Sequence, residues 1–251
     1  MNQILSGKVA LVTGASQGLG RRIVDVFRQQ GAVGMGLDQA WQDEPDMGEG
    51  WTAYTGDVTE EESLLAAVED ISNTHGRLDV VVANAGIVPP WSKIEELDMS
   101  QWDRTFAVNV RGVAITMKHC VSLMKDNGGS FVLMGSLNSR RGAVGQTLYT
   151  ATKHAVLGVV RSSALDLGAD DIRVNAIGPG PIATDALVSR IATRHEQGDL
   201  PVAEVLEKFK SGTALNRIAT DEEVANTALF LASDFSSGIT GQIFPVDGGL
   251  P

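Results

Sequence analysis

Tyr149 and Lys153 stand four residues apart at the start of a predicted helix over Leu148–Leu167, so their side chains share one helix face. A free phenol titrates near pH ~10 and is a poor base at neutrality. An ammonium beside it favours the phenolate, which gives the pair a proton-transfer chemistry at a substrate oxygen. Ser136 follows a predicted strand, Ser130–Gly135, and offers a hydroxyl donor to the same oxygen. Tyr149 is one of only two tyrosines in the chain. Each residue also has an ordinary alternative. The pair can be a surface i,i+4 contact, and Ser136 can be a cap or turn hydroxyl at the start of a loop.

A proton-transfer group is useful only beside a reacting partner, and the N-terminal part of the chain points to one. A strand at Lys8–Thr13 runs directly into Thr13-Gly14-Ala15-Ser16-Gln17-Gly18-Leu19-Gly20, and a helix over Leu19–Gln30 follows. Gly14 suits a tight turn, Gly18 lets the backbone approach a phosphate, and Gly20 permits close packing of helix on strand. Open N–H groups and the helix dipole then favour a pyrophosphate. The spacing is GxxxGxG, not the GxGxxG of the usual fingerprint. Gly14, Ser16, Gln17, Gly18, Leu19 and Gly20 are therefore candidate dinucleotide contacts. Asp38 ends the second strand, 18 residues after Gly20, where a carboxylate accepts hydrogen bonds from ribose hydroxyls and repels a 2′-phosphate. No Arg or Lys lies in Gly14–Gly20, and Gln39 follows Asp38, so NAD is favoured over NADP. The plainer alternatives are a Gly-rich turn and a solvated strand end. Asp57-Val58 and Asn84-Ala85-Gly86 follow the third and fourth strands; they suit adenine and the dinucleotide path, or are Asx and Gly turns.

The elements that must position these groups alternate along the chain. Further strands are predicted at Val33–Asp38, Trp51–Thr55, Leu78–Ala83, Arg173–Ile177 and Gln242–Val246, and further helices at Glu60–His75, Trp102–Lys125 and Asp221–Leu231. The segment Gln42–Gly50 reads as a loop, and Ala183–Lys210 as helical in parts. The pattern predicts an α/β chain: one doubly wound Rossmann-type domain over residues 1–251, with a mostly parallel seven-stranded sheet and with 183–212 as a substrate-covering insertion. The formal net charge of −11 disfavours nucleic acid and anionic membrane as partners. The single cysteine, Cys120, leaves no intrachain disulfide and is expected to be a buried thiol. No metal motif is recognised, no segment reads as a signal peptide or membrane span, and a cytoplasmic location is expected.

Taken in order, these motifs resemble the short-chain dehydrogenase/reductase family over essentially the whole chain. The family's Gly-rich turn matches Thr13–Gly20. Its Asn-Asn-Ala-Gly segment resembles Ala83-Asn84-Ala85-Gly86, with Ala83 in place of the first Asn. Its catalytic Asn, Ser, Tyr and Lys match Asn109, Ser136, Tyr149 and Lys153. Its Pro-Gly segment is Pro179-Gly180, with Ile182 beside the cofactor and Thr184 where a nicotinamide-anchoring Thr is expected. The resemblance implies that Tyr149 and Lys153 also contact the cofactor. It further implies that Asn109 distorts a helix and holds a water near Lys153 in a proton relay.

The resemblance also implies a homotetramer built through Trp102–Lys125, Leu148–Leu167 and Gln242–Val246. The expected function is NAD(H)-dependent interconversion of a secondary alcohol and a ketone. A ketoacyl-carrier reductase and a noncatalytic nucleotide-sensing protein are the alternatives. On the substrate side lie Leu137–Leu148 and Pro89-Pro90-Trp91, the latter able to form an apolar wall. Trp102 is read as packing. Arg140-Arg141 suits a carboxylate or phosphate, a surface position or a subunit contact.

Overall fold

The structure, a computed structural model, describes residues 3–41, 45–196 and 198–250. Seven strands form one sheet: β1 (Val9–Thr13), β2 (Val33–Asp38), β3 (Trp51–Thr55), β4 (Val80–Ala83), β5 (Gly129–Met134), β6 (Ile172–Pro179) and β7 (Ile243–Val246). Their spatial order is β3-β2-β1-β4-β5-β6-β7, and all six pairings are parallel. Helices are α1 (Gly18–Gln29), α2 (Glu61–His75), α3 (Met99–Phe106), α4 (Gly112–Cys120), α5 (Thr147–Leu167), α6 (Asp185–Glu196), α7 (Val202–Ser211) and α8 (Asp221–Ala232). The single Rossmann-type domain with a seven-stranded sheet is the architecture that the alternation predicts.

A parallel sheet needs cover on both faces, and alternate side chains divide accordingly. Leu11, Leu37, Val81, Phe131 and Val174 point into one core with Leu64 and Ile71 of α2, Val113 of α4 and Val156 and Val160 of α5. Val12, Val80, Val82, Val132 and Ile177 point into the other, against Ile23, Val24 and Phe27 of α1 and Val224 and Leu231 of α8. Fully buried side chains of this size each contribute roughly 1.5–3 kcal/mol from removal of apolar surface from water. Asp79, buried at the start of β4's approach, is neutralised locally. It accepts from Val9 N (2.9 Å) and Arg77 Nε (3.1 Å) and lies 3.8 Å from Lys8 Nζ.

One expected element differs, and one expected to be helical in parts is so. The helix read over Trp102–Lys125 is interrupted: α3 gives way to a π-turn at Ala107–Arg111 before α4 begins. The stretch 183–212 holds two separate helices, α6 and α7. Residues 45–50 of the expected loop carry no helix or strand, while 42–44 lie outside the described residues. Trp102 stacks on Phe106 with ring centroids 5.0 Å apart, a packing role. Cys120 is fully buried, and burial alone pushes its thiol up to about 12. Among the described residues, no helix is long and apolar enough to cross a membrane, and no group of His, Cys, Asp and Glu is arranged to hold a metal ion.

Candidate active site

The carboxyl ends of the strands open onto a cleft of about 680 Å³ at the β1/β4 junction, where the chain order of the sheet reverses. That switch point is where open α/β sheets leave a crevice for ligands. At its nucleotide end, Gly14 has φ +67° and its α-carbon faces Ala85 so closely that a Cβ would lie 2.9 Å from Ala85 Cα. Gly20 sits hard against the same turn, and a Cβ there would approach Gly14 O to 2.0 Å. Gly20 therefore packs α1 onto β1 and does not line the cleft. Gly18 borders open space. No side chain caps α1, since Gln17 makes no cap hydrogen bond, and its first turn carries no acidic residue. The leading amides of α1 are thus left without a side-chain acceptor, which suits a pyrophosphate.

Asp38 lies beside this turn. Its carboxylate accepts from Ser16 N (3.0 Å) and Gln39 N (2.8 Å). Ser16 thus enters through its backbone alone and is absent from the cleft wall. Asp57 and Val58 line the cleft, and Asp57 also closes an Asx turn by accepting from Thr59 N at 2.8 Å. Ala85 and Gly86 line it too. Asn84 reaches it while spending its amide on the fold: Nδ2 donates to Thr13 O and Gly14 O, both at 3.0 Å. Pro179, Gly180, Ile182 and Thr184 line the far end. Thr184 also accepts from Leu187 N at 3.3 Å, starting α6.

Ser136, Tyr149 and Lys153 come together on one wall. Ser136 is fixed by a reciprocal capping arrangement in which Ser139 Oγ accepts from Ser136 N and Ser136 Oγ accepts from Asn138 N. Lys153 is buried, donates to Met134 O at 2.8 Å, and its Nζ lies 5.5 Å from the Tyr149 ring centre. Burial lowers its pKa to about 8. Tyr149 is partly exposed to the cleft, yet the protein packed around it desolvates its phenol and raises its pKa above the ordinary value. The Ser136 hydroxyl and the Arg190 charge oppose that rise. Burial therefore outweighs the expected fall in the Tyr149 pKa. The ammonium of Lys153 is held by a carbonyl, and desolvation outweighs the charges that favour phenolate.

Asn109 is buried behind the wall and does not line the cleft. Its Oδ1 accepts from Ile87 N (2.8 Å), and its Nδ2 donates to Ile87 O (2.8 Å) and to Thr152 Oγ1 (3.3 Å). It thereby ties the segment after β4 to α5, and the π-turn is the local distortion that lets it do so.

A second cavity of about 280 Å³ adjoins the first. Pro89, Pro90, Trp91, Gln146 and Leu148 line it, and Tyr149 borders both spaces. Other expected substrate contacts fall elsewhere. Val144 is 97% exposed, Arg140 donates to Ile243 O at 3.1 Å, and neither Arg140 nor Arg141 lines either space. Sequence reasoning missed Ile87, Val88, Met134, Leu187 and Arg190 on the cleft wall. Leu187 and Arg190 follow Thr184 on α6, so a helical reading of 184–190 from that threonine would have found them.

The Rossmann-type sheet, the crevice at its switch point and the grouping of Ser136, Tyr149 and Lys153 on its wall suit a nucleotide-dependent oxidoreductase. A family model described as enoyl-(acyl carrier protein) reductase matches residues 14–251. The chain is 36% identical to short-chain dehydrogenase reductase 5 of Arabidopsis thaliana, over 98% of this chain and 95% of that protein. It is 37% identical to (+)-borneol dehydrogenase 2 of Salvia officinalis, over 98% and 90% of the two chains. Carveol dehydrogenase from Mycobacterium avium, solved in complex with NAD, superposes with a TM-score of 0.90 at 30% identity, covering 98% of each chain. The chain belongs to the short-chain dehydrogenase/reductase family, and it is an oxidoreductase of that type.

The buried lysine has a measurable consequence. Its pKa of about 8 against an ordinary 10.5 corresponds to roughly 3 kcal/mol of disfavoured charge. Below about pH 8 both folded and unfolded chains hold the proton, so the penalty is fully present. Between about 8 and 10.5 the unfolded chain binds more protons, and stability rises with pH. Lys153→Met is expected to raise the unfolding free energy at pH 7 by about 1–3 kcal/mol, after loss of the bond to Met134 O. That gain should vanish above about pH 10.5. Urea unfolding across this range checks it, and a pH-independent difference between the proteins contradicts it.

Proposed function

We propose that this enzyme interconverts a secondary alcohol and a ketone with NAD(H), and that Tyr149 is its general acid/base. The observation that carries the reading is the position of Tyr149. It stands beside Ser136 and Lys153 where the nucleotide cleft meets the smaller cavity. One side of the phenol thus faces space for a cofactor, and the other faces space for a substrate.

The cofactor is NAD(H). The uncapped start of α1 and the open backbone at Gly18 fit its pyrophosphate, and the Asp38 carboxylate fits an unphosphorylated ribose. When bound, NAD supplies the hydride acceptor or donor and, when oxidised, a positive charge. Everything else falls to the chain's own groups.

The raised pKa favours the neutral phenol of Tyr149. That is the acid form, ready to donate a proton to a carbonyl oxygen during reduction. Oxidation needs the phenolate, so positive charge must accumulate around the ring before the alcohol proton is taken. Lys153 stores one such charge within the wall, and the Ser136 hydroxyl donates to whichever oxygen, substrate or phenolate, carries the developing negative charge. Asn109 acts here as a positioning residue, through the segment at Ile87 and through Thr152 on α5.

In this reading α6 covers the substrate. Its inner residues line the cleft, and the Arg194 guanidinium stacks 3.6 Å above the Trp91 ring on the opposite rim. The enzyme assembles as a homotetramer in part through α5, whose Leu165 is 86% exposed.

Tyr149→Phe is expected to lower kcat about 10²–10⁴-fold while the folded protein still binds NADH. Turnover near the parent value would sink the acid/base role. Asp38→Ala should shrink the NAD-over-NADP ratio of kcat/KM roughly 10–100-fold, the weight of a charged hydrogen bond. An unchanged ratio rejects Asp38 as the discriminator. Multi-angle light scattering of the purified protein should give four times the chain mass; a monomer or dimer would refute the tetramer.

A further inference from the structure

Arg190 stands out among the cleft residues. It lies on α6, lines the same space as Ser136, Tyr149 and Lys153, and is only partly exposed. Desolvation works against its charge, and among the described residues the ionised form of Tyr149 is the group whose charge favours it. It makes no hydrogen bond or ion pair among the described residues. Asp185 also lines the cleft, yet forms no pair with it.

A guanidinium carries five donors, and leaving them partly desolvated without an acceptor is costly. The side chain of Arg104, also on the cleft wall, likewise makes no hydrogen bond or ion pair among the described residues but is exposed to solvent, whereas the following arginines show the usual resolution. One turn beyond Arg190 on the same face of α6, Arg194 both stacks on Trp91 and pairs with Asp199. Arg217 pairs with Glu223, and Arg140 finds the Ile243 carbonyl. The stack on Trp91 ties α6 to the opposite rim, with Arg190 one turn earlier on the wall of the cleft; the Asp199 pair braces only the end of the helix itself. An unsatisfied fork held in place beside the proton-transfer group is a recognition element awaiting an acceptor from a ligand.

We propose that Arg190 is a specificity-determining residue that binds an anionic group, a carboxylate, on the substrate itself. This deepens the alcohol/ketone reading and rests on it. The substrate class is then a hydroxy acid or keto acid whose carboxylate meets Arg190 while its reacting carbon and oxygen face Tyr149. The arginine at the substrate end is Arg190, not the Arg140-Arg141 pair that the sequence suggests. A bidentate carboxylate would also complete the hydrogen bonding that the protein leaves open.

The test compares 3-oxocyclohexanecarboxylate with its methyl ester as NADH-dependent substrates, and measures benzoate binding to the enzyme–NADH complex by calorimetry. The parent enzyme is expected to prefer the acid and to bind benzoate. Arg190→Met should reduce the acid-over-ester ratio of kcat/KM about 10–100-fold and weaken benzoate to a similar degree. Arg190→Lys should recover part of both, since it keeps the charge but loses the fork. The Kd for NADH should not move. An unchanged ratio and unchanged benzoate affinity in Arg190→Met would overturn the proposal. So would a weakened NADH affinity with the ratio intact, which would assign Arg190 to the cofactor's phosphates. Failure of both ketones to react would count against the ketone reading instead, and benzoate binding would still decide the role of Arg190.

Discussion

The site depends on how two chain ends are held at the place where the sheet parts. β1 and β4 are neighbours, but the chains leaving them diverge, and each leaves backbone groups without a ladder partner. Thr13 and Asn84 satisfy those groups reciprocally. Thr13 Oγ1 accepts from Asn84 N and Ala85 N, both at 3.1 Å, while Asn84 Nδ2 donates to the carbonyls of Thr13 and Gly14. The amide sits so tightly that a Cβ on Gly20 would come within 2.6 Å of it, and one on Gly14 within 2.9 Å. The glycines are therefore required twice, once for a turn that can face phosphate and once to leave room for the side chain that stitches the turn to β4. Deleting that amide would remove a donor from both carbonyls at the floor of the crevice.

Burial then shifts the Tyr149 and Lys153 pKa values in opposite directions. It raises the Tyr149 pKa and lowers that of Lys153, so both groups are pushed toward their neutral forms. Burial thus makes Tyr149 a weaker acid, while it brings Lys153, at about 8, toward the range in which an amine exchanges protons near neutrality. Together they leave a wall whose proton affinity responds strongly to any added charge, because the surrounding medium screens little. A cationic ring entering the cleft is such a charge. Burial of the Lys153 ammonium works against the fold, a cost of the kind that proteins carry at functional sites.

The fold and the dinucleotide end were largely legible in the sequence because they rest on local rules. Apolar runs with period two or 3.6 define the elements, glycine marks the tight turn, and Asp38 falls where β2 ends. The substrate end was less legible for physical reasons. Asn109 sits in what reads as one continuous helix, and only the hydrogen bonds across to Ile87 and Thr152 make a π-turn worthwhile there. The same distance in sequence, 22 residues to Ile87, carries no periodic signal. Arg140 and Arg190 look alike as letters; what separates them is that a β7 carbonyl lies within reach of the first and nothing equivalent within reach of the second. The spacing of Tyr149 and Lys153 likewise said which face they share, but not that a carbonyl of β5 would hold the ammonium.

The resulting cleft is electrically graded along its length. Asp38 and Asp57 line it beside the Gly-rich turn, while Lys153 and Arg190 line it near Tyr149, with the Asp185 carboxylate at the start of α6 and Arg104 also on the wall. In a chain with a net charge of −11, the far field repels anions, so an anionic ligand is drawn in only once it comes within about a Debye length of the local cations. The gradient gives direction to what binds. A neutral sugar hydroxyl face is preferred at the acidic end, where a phosphate would be repelled, and negative charge is preferred beside Tyr149, where it would meet two cations on one wall. The charge that a substrate brings to Arg190 also offsets part of the field that Arg190 exerts on the phenol. Substrate recognition and the proton affinity of Tyr149 are therefore coupled through the same guanidinium, and neither can be altered at residue 190 without the other.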